Sequence, residues 1–261
     1  MVWAREWGQD KFGLFMVLEL QGNQQCFRWI RPGSFMMGSP EDEPERNNDE
    51  LQHHVTLTQG YWLADSACTQ ALWLAVTGKN PGHFHDNPNN PVENVSWDDV
   101  KTFIQCLNLN QPGLLARLPS EAEWEYACRA GTVTPFSFGG NITTDQVNYN
   151  GNYPYADAAK GEFREKTLPV KSLPANPWGL YEMHGNVWEW CADRYGQYEP
   201  TAVIDPTGSS DGSYRVLRGG SWIIYARVAR SALCGGFDPD DRSGDIGFRL
   251  ALGRKGVSPA G

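Results

Sequence analysis

The side chains of this chain that could do chemistry are scattered along it and form no familiar catalytic pattern. Two histidine pairs, His53 with His54 and His83 with His85, are close enough in sequence to bind a metal ion, although such pairs are more often surface or turn residues. The six cysteines include no Cys-x-x-Cys pair. Neither a nucleophile elbow nor a phosphate-binding glycine loop is present. The pattern therefore favours buried thiols over a disulfide framework or a zinc site.

Helices and short strands must position these residues. Two helices are predicted where a serine and an acidic residue three positions later form a capping box, and a shorter third helix is predicted before a glycine. The two helices begin at Ser96, with Asp99, and at Ser120, with Glu123 and a stop at Gly131; the third runs from Thr69 to Gly78. Strands are predicted at 15–20, 27–30, 55–57, 61–63, 215–218 and 247–251, with the third and fourth paired.

The composition is that of a loop-rich globular protein. Glycine and proline make up about 17% of the 261 residues, against a usual ~12%, and eleven residues are tryptophan. Residues 40–52, 132–171 and 222–247 show no regular pattern, and loops of this length are usually functional. The acidic residues between positions 41 and 50 are interpreted as a solvated loop.

Charge and hydropathy exclude two classes of partner. A formal net charge of −9 argues against a protein that binds nucleic acid or anionic membranes, because both need a basic surface. The apolar stretch at 13–18 is too short to span a bilayer, and the N-terminal residues lack the order of a secretion signal. We therefore expect a cytoplasmic protein with neither nucleic acid nor membrane as its partner.

Five ordered motifs carry a resemblance that covers residues 28–252. They read Pro-Gly-Ser-Phe-Met-Met-Gly-Ser at 32–39, Pro-Val-Glu-Asn-Val-Ser-Trp at 91–97, Arg-Leu-Pro-Ser-Glu-Ala-Glu-Trp-Glu-Tyr-Ala at 117–127, Gly-Leu-Tyr-Glu-Met-His-Gly-Asn-Val-Trp-Glu-Trp at 179–190 and Arg-Val-Leu-Arg-Gly-Gly-Ser-Trp at 215–222, before a closing Gly-Phe-Arg at 247–249. Together they resemble the formylglycine-generating-enzyme (sulfatase-modifying factor) family. The resemblance implies an α+β fold, an irregular, loop-rich C-type-lectin-like fold with two to three helices and short antiparallel strands. We expect a single domain over residues 1–252 and a tail at 253–261.

The resemblance also implies where the chemistry of the family would occur. Its oxidases bind copper with two cysteines, three and eight residues after the serine of Gly-Gly-Ser, and these positions are Ile224 and Ala229 here. Neither side chain supplies the thiolate that holds Cu(I), and the nearby Cys234 has no partner thiol. Iron-dependent sulfoxide synthases of the wider family need three histidines, normally completed by an extra helical domain that has no counterpart in this sequence, and His184 is expected to be packed. We therefore expect no copper and no catalysis.

A structural calcium ion is a further implication of the resemblance. Carboxylate and carbonyl oxygens suit this hard ion, and the implied ligands are the side chains of Glu182 and Glu189 with the carbonyls of Gly185 and Val187. The family usually has Asn or Asp where Glu182 stands. As an alternative, Glu189 accepts hydrogen bonds from N–H groups of a tryptophan-rich core. A second family site would use Asn148, Tyr149 and residues near Phe163, with Gly161 in place of the expected aspartate.

Residues 215–250 resemble the variable region of diversity-generating-retroelement variable proteins. In those proteins, adenine-directed mutagenesis randomises selected positions within a constant framework. The resemblance implies ligand-binding side chains at the positions outside the framework, which are Ile223, Ile224, Tyr225, Val228, Leu233, Cys234, Gly235, Gly236, Phe237, Asp241, Ser243, Gly244 and Asp245. Each of these residues can be reached by changing the adenines of an AAC codon.

The apolar members of this set predict an exposed patch. They lie in a glycine-rich stretch with no periodic pattern to bury them, and such patches usually mark protein interfaces. They are Ile223, Ile224, Tyr225, Leu233 and Phe237. The alternative is that Ile223 and Ile224 fill the core behind Trp222. The arginines of the segment are expected to hold its loops by hydrogen bonds to carbonyl groups; they are Arg227, Arg230, Arg242 and Arg249.

These observations favour a non-catalytic binding protein. It would display residues 215–250 to a macromolecular ligand, expected to be a protein, as a diversified variable protein. Two alternatives stay open: an oxidase or other metal-dependent enzyme of the same fold, and a regulatory interaction domain without diversification.

Overall fold

The computed structural model describes residues 3–253, and over that range it is an α+β protein as predicted. The helices are α1 (Gln70–Thr77), α2 (Trp97–Asn110) and α3 (Glu121–Arg129), with one 3-10 helix at Ala226–Ala229. The strands are β1 (Ala4–Asp10), β2 (Gly13–Leu20), β3 (Asn23–Ile30), β4 (Gly33–Met37), β5 (His53–Leu57), β6 (Tyr61–Ala64), β7 (Ala116–Arg117), β8 (Trp188–Arg194), β9 (Val203–Ile204), β10 (Arg215–Arg218), β11 (Cys234–Phe237), β12 (Ile246–Gly247) and β13 (Ala251–Leu252).

The strands form three sheets, and most of their pairs are antiparallel. One sheet has six strands in the order β1-β2-β3-β6-β13-β7, a second has four in the order β11-β10-β8-β12, and a third has three in the order β4-β5-β9. The pairs β5–β9 and β8–β12 are parallel. The four-stranded sheet contains the start, the middle and the end of the segment that resembles a variable region, and it therefore positions the predicted site.

The helices begin where local sequence predicts them. The hydroxyl of Ser96 accepts a hydrogen bond from the N–H of Asp99 at 3.1 Å, and the Asp99 carboxylate accepts one from the N–H of Ser96 at 3.0 Å. Ser120 and Glu123 form the same capping box at the start of α3. That helix ends one residue earlier than predicted, because Ala130 already adopts a left-handed conformation with φ 48°.

Two strand predictions are wrong because sheet partners are distant in sequence. Residues 55–57 do not pair with 61–63: β5 lies between β4 and β9, whereas β6 lies between β3 and β13. The predicted strand at 247–251 is two separate strands, β12 and β13, in different sheets, and Phe248 and Leu250 between them are fully buried. The sequence also gave no signal for β8, whose residues Trp188–Cys191 are all buried and therefore do not alternate.

Aromatic side chains fill the core. The rings of Trp73 and Phe103 stack with centroids 4.8 Å apart, and Phe248 contacts both edge-on. The indole N–H of Trp190 donates to the carbonyl of Val95 at 3.0 Å, so this buried polar group is satisfied. The six cysteines are all free thiols, as predicted. Within residues 3–253, none of the helices has the length and hydropathy needed to cross a membrane.

Candidate ligand-binding face

The segment that resembles a variable region follows the four-stranded sheet. After β10 the chain turns through Gly219 and Gly220, both at positive φ (94° and 70°), a conformation that favours glycine. It continues through the 3-10 helix and returns along β11, which pairs with β10. A loop over residues 238–245 then leads into β12 beside β8. The prediction of a stretch without strand structure is therefore wrong for residues 234–237.

Most of the thirteen predicted ligand-binding positions lie at the surface. Ile223 is 45% exposed and Tyr225 is 43% exposed. Asp241 and Ser243 are also exposed, and the half-exposed positions are Ile224, Val228, Cys234, Gly235, Gly236, Phe237, Gly244 and Asp245. Leu233 is the exception, because it is only 6% exposed and packs in the core. The prediction that Leu233 belongs to the exposed patch is therefore wrong.

Hydrogen bonds bring the separate stretches of the segment together. The indole N–H of Trp222 donates to the carbonyl of Gly244 at 3.1 Å, and the hydroxyl of Ser221 donates to the carboxylate of Asp245 at 2.7 Å. The backbone N–H of Trp188 also donates to the carbonyl of Asp245 at 2.8 Å, and its ring lies 6.2 Å from that of Phe237. We define the ligand-binding face as residues 223–225, 228, 234–237, 241 and 243–245.

Two of the predicted positions differ in how freely they accept a side chain. A Cβ at Gly244 would lie 3.5 Å from the side chain of His83, which is an ordinary contact. A Cβ at Gly236 would lie 2.6 Å from the ring of Tyr195, so a larger residue there requires that ring to move. The exposure of Ile223 also contradicts the alternative in which this residue fills the core behind Trp222.

The buried side chain of Arg230 fixes the backbone of the 3-10 helix in the first half of the segment. Its side chain is fully buried, and it donates to the carbonyls of Arg227 at 2.9 Å and Glu45 at 3.3 Å, as predicted for the arginines of this segment. It also forms ion pairs with Glu43 at 2.6 Å and Glu50 at 2.5 Å. Burial alone would raise the pKa of Glu50, but Arg230 outweighs it and holds the pKa below its usual value. The interpretation of residues 41–50 as a solvated loop is therefore wrong for Glu43 and Glu50.

The side chain of Arg218 fixes the backbone between the 3-10 helix and β11. It is fully buried and donates to the carbonyls of Ser231 at 2.8 Å and Leu233 at 3.3 Å. Its charge is balanced by Glu121 and Glu125, both within 3.0 Å. The backbone between residues 227 and 233 is thus bound by two buried arginines, whose ion pairs do not involve the side chains of the face.

Arg242 and Arg249 also donate hydrogen bonds to carbonyl groups. Arg242 donates to the carbonyl of Asp240 at 3.1 Å and pairs with the carboxylate of Asp99 at 2.7 Å. Arg249 donates to the carbonyls of Ala64 at 3.2 Å and Tyr181 at 2.9 Å. Arg227 is exposed and contributes its own carbonyl to Arg230.

One of the two positions that correspond to the copper ligands of the family, Ala229, lies beside a packed histidine. The carbonyl of Ala229 accepts a hydrogen bond from Nδ1 of His184 at 2.7 Å, and Nε2 of the same ring accepts one from the N–H of Ser137 at 3.0 Å. Burial lowers the pKa of His184 to about 4, so the ring is neutral at physiological pH. The prediction that His184 is packed is confirmed.

Two thiols are protonated at physiological pH: that of Cys128, beside His184, and that of Cys234, the next cysteine in sequence after position 229. Burial raises the pKa of Cys128, whose sulfur lies 3.6 Å from Nε2 of His184, to about 12. Burial also raises the pKa of Cys234 to about 12, and its sulfur lies 3.4 Å from the hydroxyl of Tyr198. In the part of the chain that the structure describes, no three His, Cys, Asp or Glu side chains are grouped to bind a metal ion.

The histidine pair in β5 is not arranged as a chelating pair. His53 and His54 are neighbours in β5, where successive side chains point to opposite faces of the sheet. His53 is buried against the ring of Tyr198, whereas His54 is exposed. His83 and His85 are both exposed in the loop after α1.

The two glutamates implied as calcium ligands differ in their surroundings. Glu189 accepts hydrogen bonds from the indole N–H of Trp124 at 2.7 Å and from Arg249 at 2.6 Å and 2.7 Å, which agrees with the alternative interpretation of this residue. Glu182 accepts one bond, from the N–H of Lys171 at 2.8 Å, and its other oxygen is buried without a hydrogen-bond partner among residues 3–253. Burial raises the pKa of Glu182 to about 8. The unpartnered oxygen fits a cation, and calcium stays a prediction.

The second implied site lies next to the first. Asn148 forms a bridge with Gly185, and its side-chain oxygen is buried without a hydrogen-bond partner in the part of the chain that the structure describes. Gly161 lies in the same loop region, because its N–H donates to the carbonyl of Gly151, three residues after Asn148, at 2.8 Å. No carboxylate stands at position 161, so this site has one acidic ligand fewer than the family pattern implies.

Comparisons with known proteins agree with this geometry. The sequence profile of the Sulfatase-modifying factor enzyme 1-like domain matches residues 15–254. The formylglycine-generating enzyme of Streptomyces coelicolor is 37% identical over 231 residues, which are 82% of this chain and 71% of that protein. The inactive C-alpha-formylglycine-generating enzyme 2 of Bos taurus is 32% identical over 214 residues, which are 79% of this chain and 64% of that protein.

A solved structure shows the same fold. Treponema denticola variable protein 1 superposes with a TM-score of 0.78 at 27% identity, covering 91% of this chain and 98% of that chain. The α+β, C-type-lectin-like architecture implied by the sequence motifs is thereby confirmed. With the profile match over nearly the whole sequence, the chain belongs to the family of sulfatase-modifying factor enzyme 1-like domains.

Proposed function

We propose that this protein is a non-catalytic binding protein that presents the ligand-binding face to a protein ligand and is diversified at the positions of that face. The observation that carries the proposal is the exposure of Ile223 and Tyr225, both more than two-fifths exposed, in a segment whose backbone is bound by buried arginines. Exposed apolar and aromatic side chains in one place are typical of binding hot spots.

The framework supports the proposal because it is independent of the side chains above it. Arg218 and Arg230 hold the backbone of the segment through carbonyl groups and are neutralised by buried glutamates. Substitution at Ile223, Tyr225 or Asp241 therefore leaves these contacts in place. The similarity to Treponema denticola variable protein 1 over most of both chains supports the same use of the fold.

The chemistry at the family's copper positions supports a function without catalysis. Ile224 and Ala229 offer no metal ligand, and the thiols of Cys128 and Cys234 are held protonated by burial. Cu(I) prefers thiolate or thioether sulfur, which these positions do not provide. The relative of Bos taurus that is named inactive shows that the family includes proteins described in this way.

Charge supports a protein ligand. The net charge is −9, and Asp238, Asp240 and Asp241 are exposed at the edge of the face. A surface of this sign repels phosphate groups, whereas a protein ligand can complement it with apolar or basic side chains.

A display library tests the proposal. The positions of the face are randomised in the otherwise unchanged full chain, and the library is selected against lysozyme as a fixed bait. We expect enriched clones that differ in the face and, where Gly236 and Phe237 are retained, keep the melting temperature of the parent protein. A library that yields no binder, or binders whose contacts map elsewhere, would refute the proposal.

The gene itself tests the diversification. A near-copy of the 108 bases that encode residues 215–250, beside a reverse transcriptase gene and differing mainly at adenines, is expected in the same locus, because this segment comprises 36 codons. Its absence would leave a binding protein without diversification.

A further inference from the structure

An exposed aromatic residue outside the variable segment touches the ligand-binding face. Tyr153 is 52% exposed, and its ring centroid lies 4.4 Å from that of Tyr225. The two rings contact each other, yet each leaves about half of its surface to solvent. An exposed tyrosine pair at this position adds to the apolar area that Ile223 presents next to it.

The backbone fixes Tyr153 against the segment. The N–H of Ala226 donates to the carbonyl of Tyr153 at 3.1 Å, and the N–H of Asn150 donates to the carbonyl of Ile224 at 3.0 Å. Both bonds join main-chain atoms only. The loop at 150–153 therefore keeps its place whatever side chains occupy positions 223–225.

Further rings continue this edge of the face. Trp222 stacks on Phe163 with centroids 6.1 Å apart and meets Phe84 edge-on at 5.4 Å. Its indole N–H is bound to the carbonyl of Gly244, so the orientation of the stack is fixed by the main chain. Phe84 and Phe163 are half-exposed and come from two different loops.

We propose that Tyr153, with Phe163 and Phe84, forms a constant aromatic rim that contributes to every complex made by the face. The inference rests on the proposed function and adds the chemistry of the ligand. A rigid tyrosine ring offers a large contact area at a low entropic cost, and buried aromatic residues dominate binding energies. The rim selects protein ligands that place an apolar or aromatic side chain against this edge, while the variable positions determine the rest of the specificity.

The inference is tested by repeating the lysozyme selection in two libraries that differ only at position 153. Both are randomised at the positions of the face, and one carries Tyr153→Ala. We expect the Tyr153→Ala library to yield about ten-fold fewer binders at the same bait concentration, since loss of one hot-spot contact weakens affinity by about that factor. Tyr153→Phe keeps the ring and should restore the yield.

Trp7→Ala is the matched control, because Trp7 is an aromatic residue 80% exposed on β1 in the other large sheet. It should leave the yield unchanged. Equal yields from the parent and Tyr153→Ala libraries would overturn the rim and leave the proposed function standing, whereas no binders from either library would overturn both. Melting temperatures of purified clones show whether Tyr153→Ala folds. If it does not, Tyr153→Ser is tested in its place. Fewer binders among Tyr153→Ser clones with an unchanged melting temperature would support the rim, and an unchanged yield would overturn it.

Discussion

Individual residues of the face contribute in two different ways. Tyr225 touches Tyr153 and solvent, so its ring does little for the folded state. Phe237 is half-buried, lies in β11 and packs against Trp188 and the main core. Sequence reasoning placed both residues in one exposed patch, because the short strand Cys-Gly-Gly-Phe shows no alternation that would reveal which side of Phe237 is covered.

The two residues are therefore expected to separate in unfolding experiments. Tyr225→Ala should change the free energy of unfolding by less than about 0.5 kcal/mol, as is usual for exposed positions. Phe237→Ala should lower it by about 1–3 kcal/mol, because part of a buried aromatic contact is lost. Urea denaturation monitored by tryptophan fluorescence measures both values. Equal losses for the two variants would contradict this assignment.

Glu182 is the residue on which a calcium ion would most depend. One of its oxygens is buried without a partner, whereas both oxygens of Glu189 are already bound by Trp124 and Arg249. We expect calcium to raise the melting temperature and Glu182→Gln to abolish most of this increase. Glu199→Gln, at an exposed glutamate, is the control. An unchanged melting temperature on adding calcium or a chelator would count against the ion.

At the scale of elements, local signals were reliable and long-range pairing was not. The capping boxes at Ser96 and Ser120 lie within four residues and fixed the starts of α2 and α3. The partner of β5 depends instead on how the chain returns after a loop of fifteen residues between Met37 and His53. The burial of Glu43 and Glu50 in that loop follows from Arg230, which is about 180 residues away and left no local trace.

Arg230 connects that loop to the segment that resembles a variable region, so replacing Arg230 should lower the stability of the protein. Arg230→Met leaves Glu43 and Glu50 buried without their cation, and such a loss costs about 3–5 kcal/mol. Arg227→Met, three residues away at an exposed position, should be nearly neutral. Chemical denaturation of the two variants measures the difference. Similar stabilities would mean that Arg230 does not fix the elements below the face.

The whole molecule combines a buried charged framework with an exposed face that we propose to be variable. Motif order was sufficient to predict the family and the C-type-lectin-like architecture, because these depend on residues that recur at fixed spacing. Which positions point outward was predicted less well. Leu233 is buried because it leads into β11, and that strand is defined by its pairing with β10 and not by its own sequence.

A final prediction concerns Cu(I) binding by the whole protein. Ile224 and Ala229 stand where the oxidases of the family have cysteines, and the main chain around Ala229 is still fixed by His184 and Arg230. We expect the protein to take up no stoichiometric Cu(I) from a competing chelator, and the double variant Ile224→Cys with Ala229→Cys to bind about one equivalent, because two thiolates suffice to hold Cu(I).

The parent protein and the double variant answer different questions in this titration. Stoichiometric Cu(I) binding by the parent, with turnover of a thiol substrate, would show that it is an enzyme and would end the proposal of a non-catalytic binding protein. Failure of the double variant alone would show that the scaffold around positions 224 and 229 has itself changed. Binding by the double variant alone would mean that two side chains separate a copper-binding fold from one used for recognition.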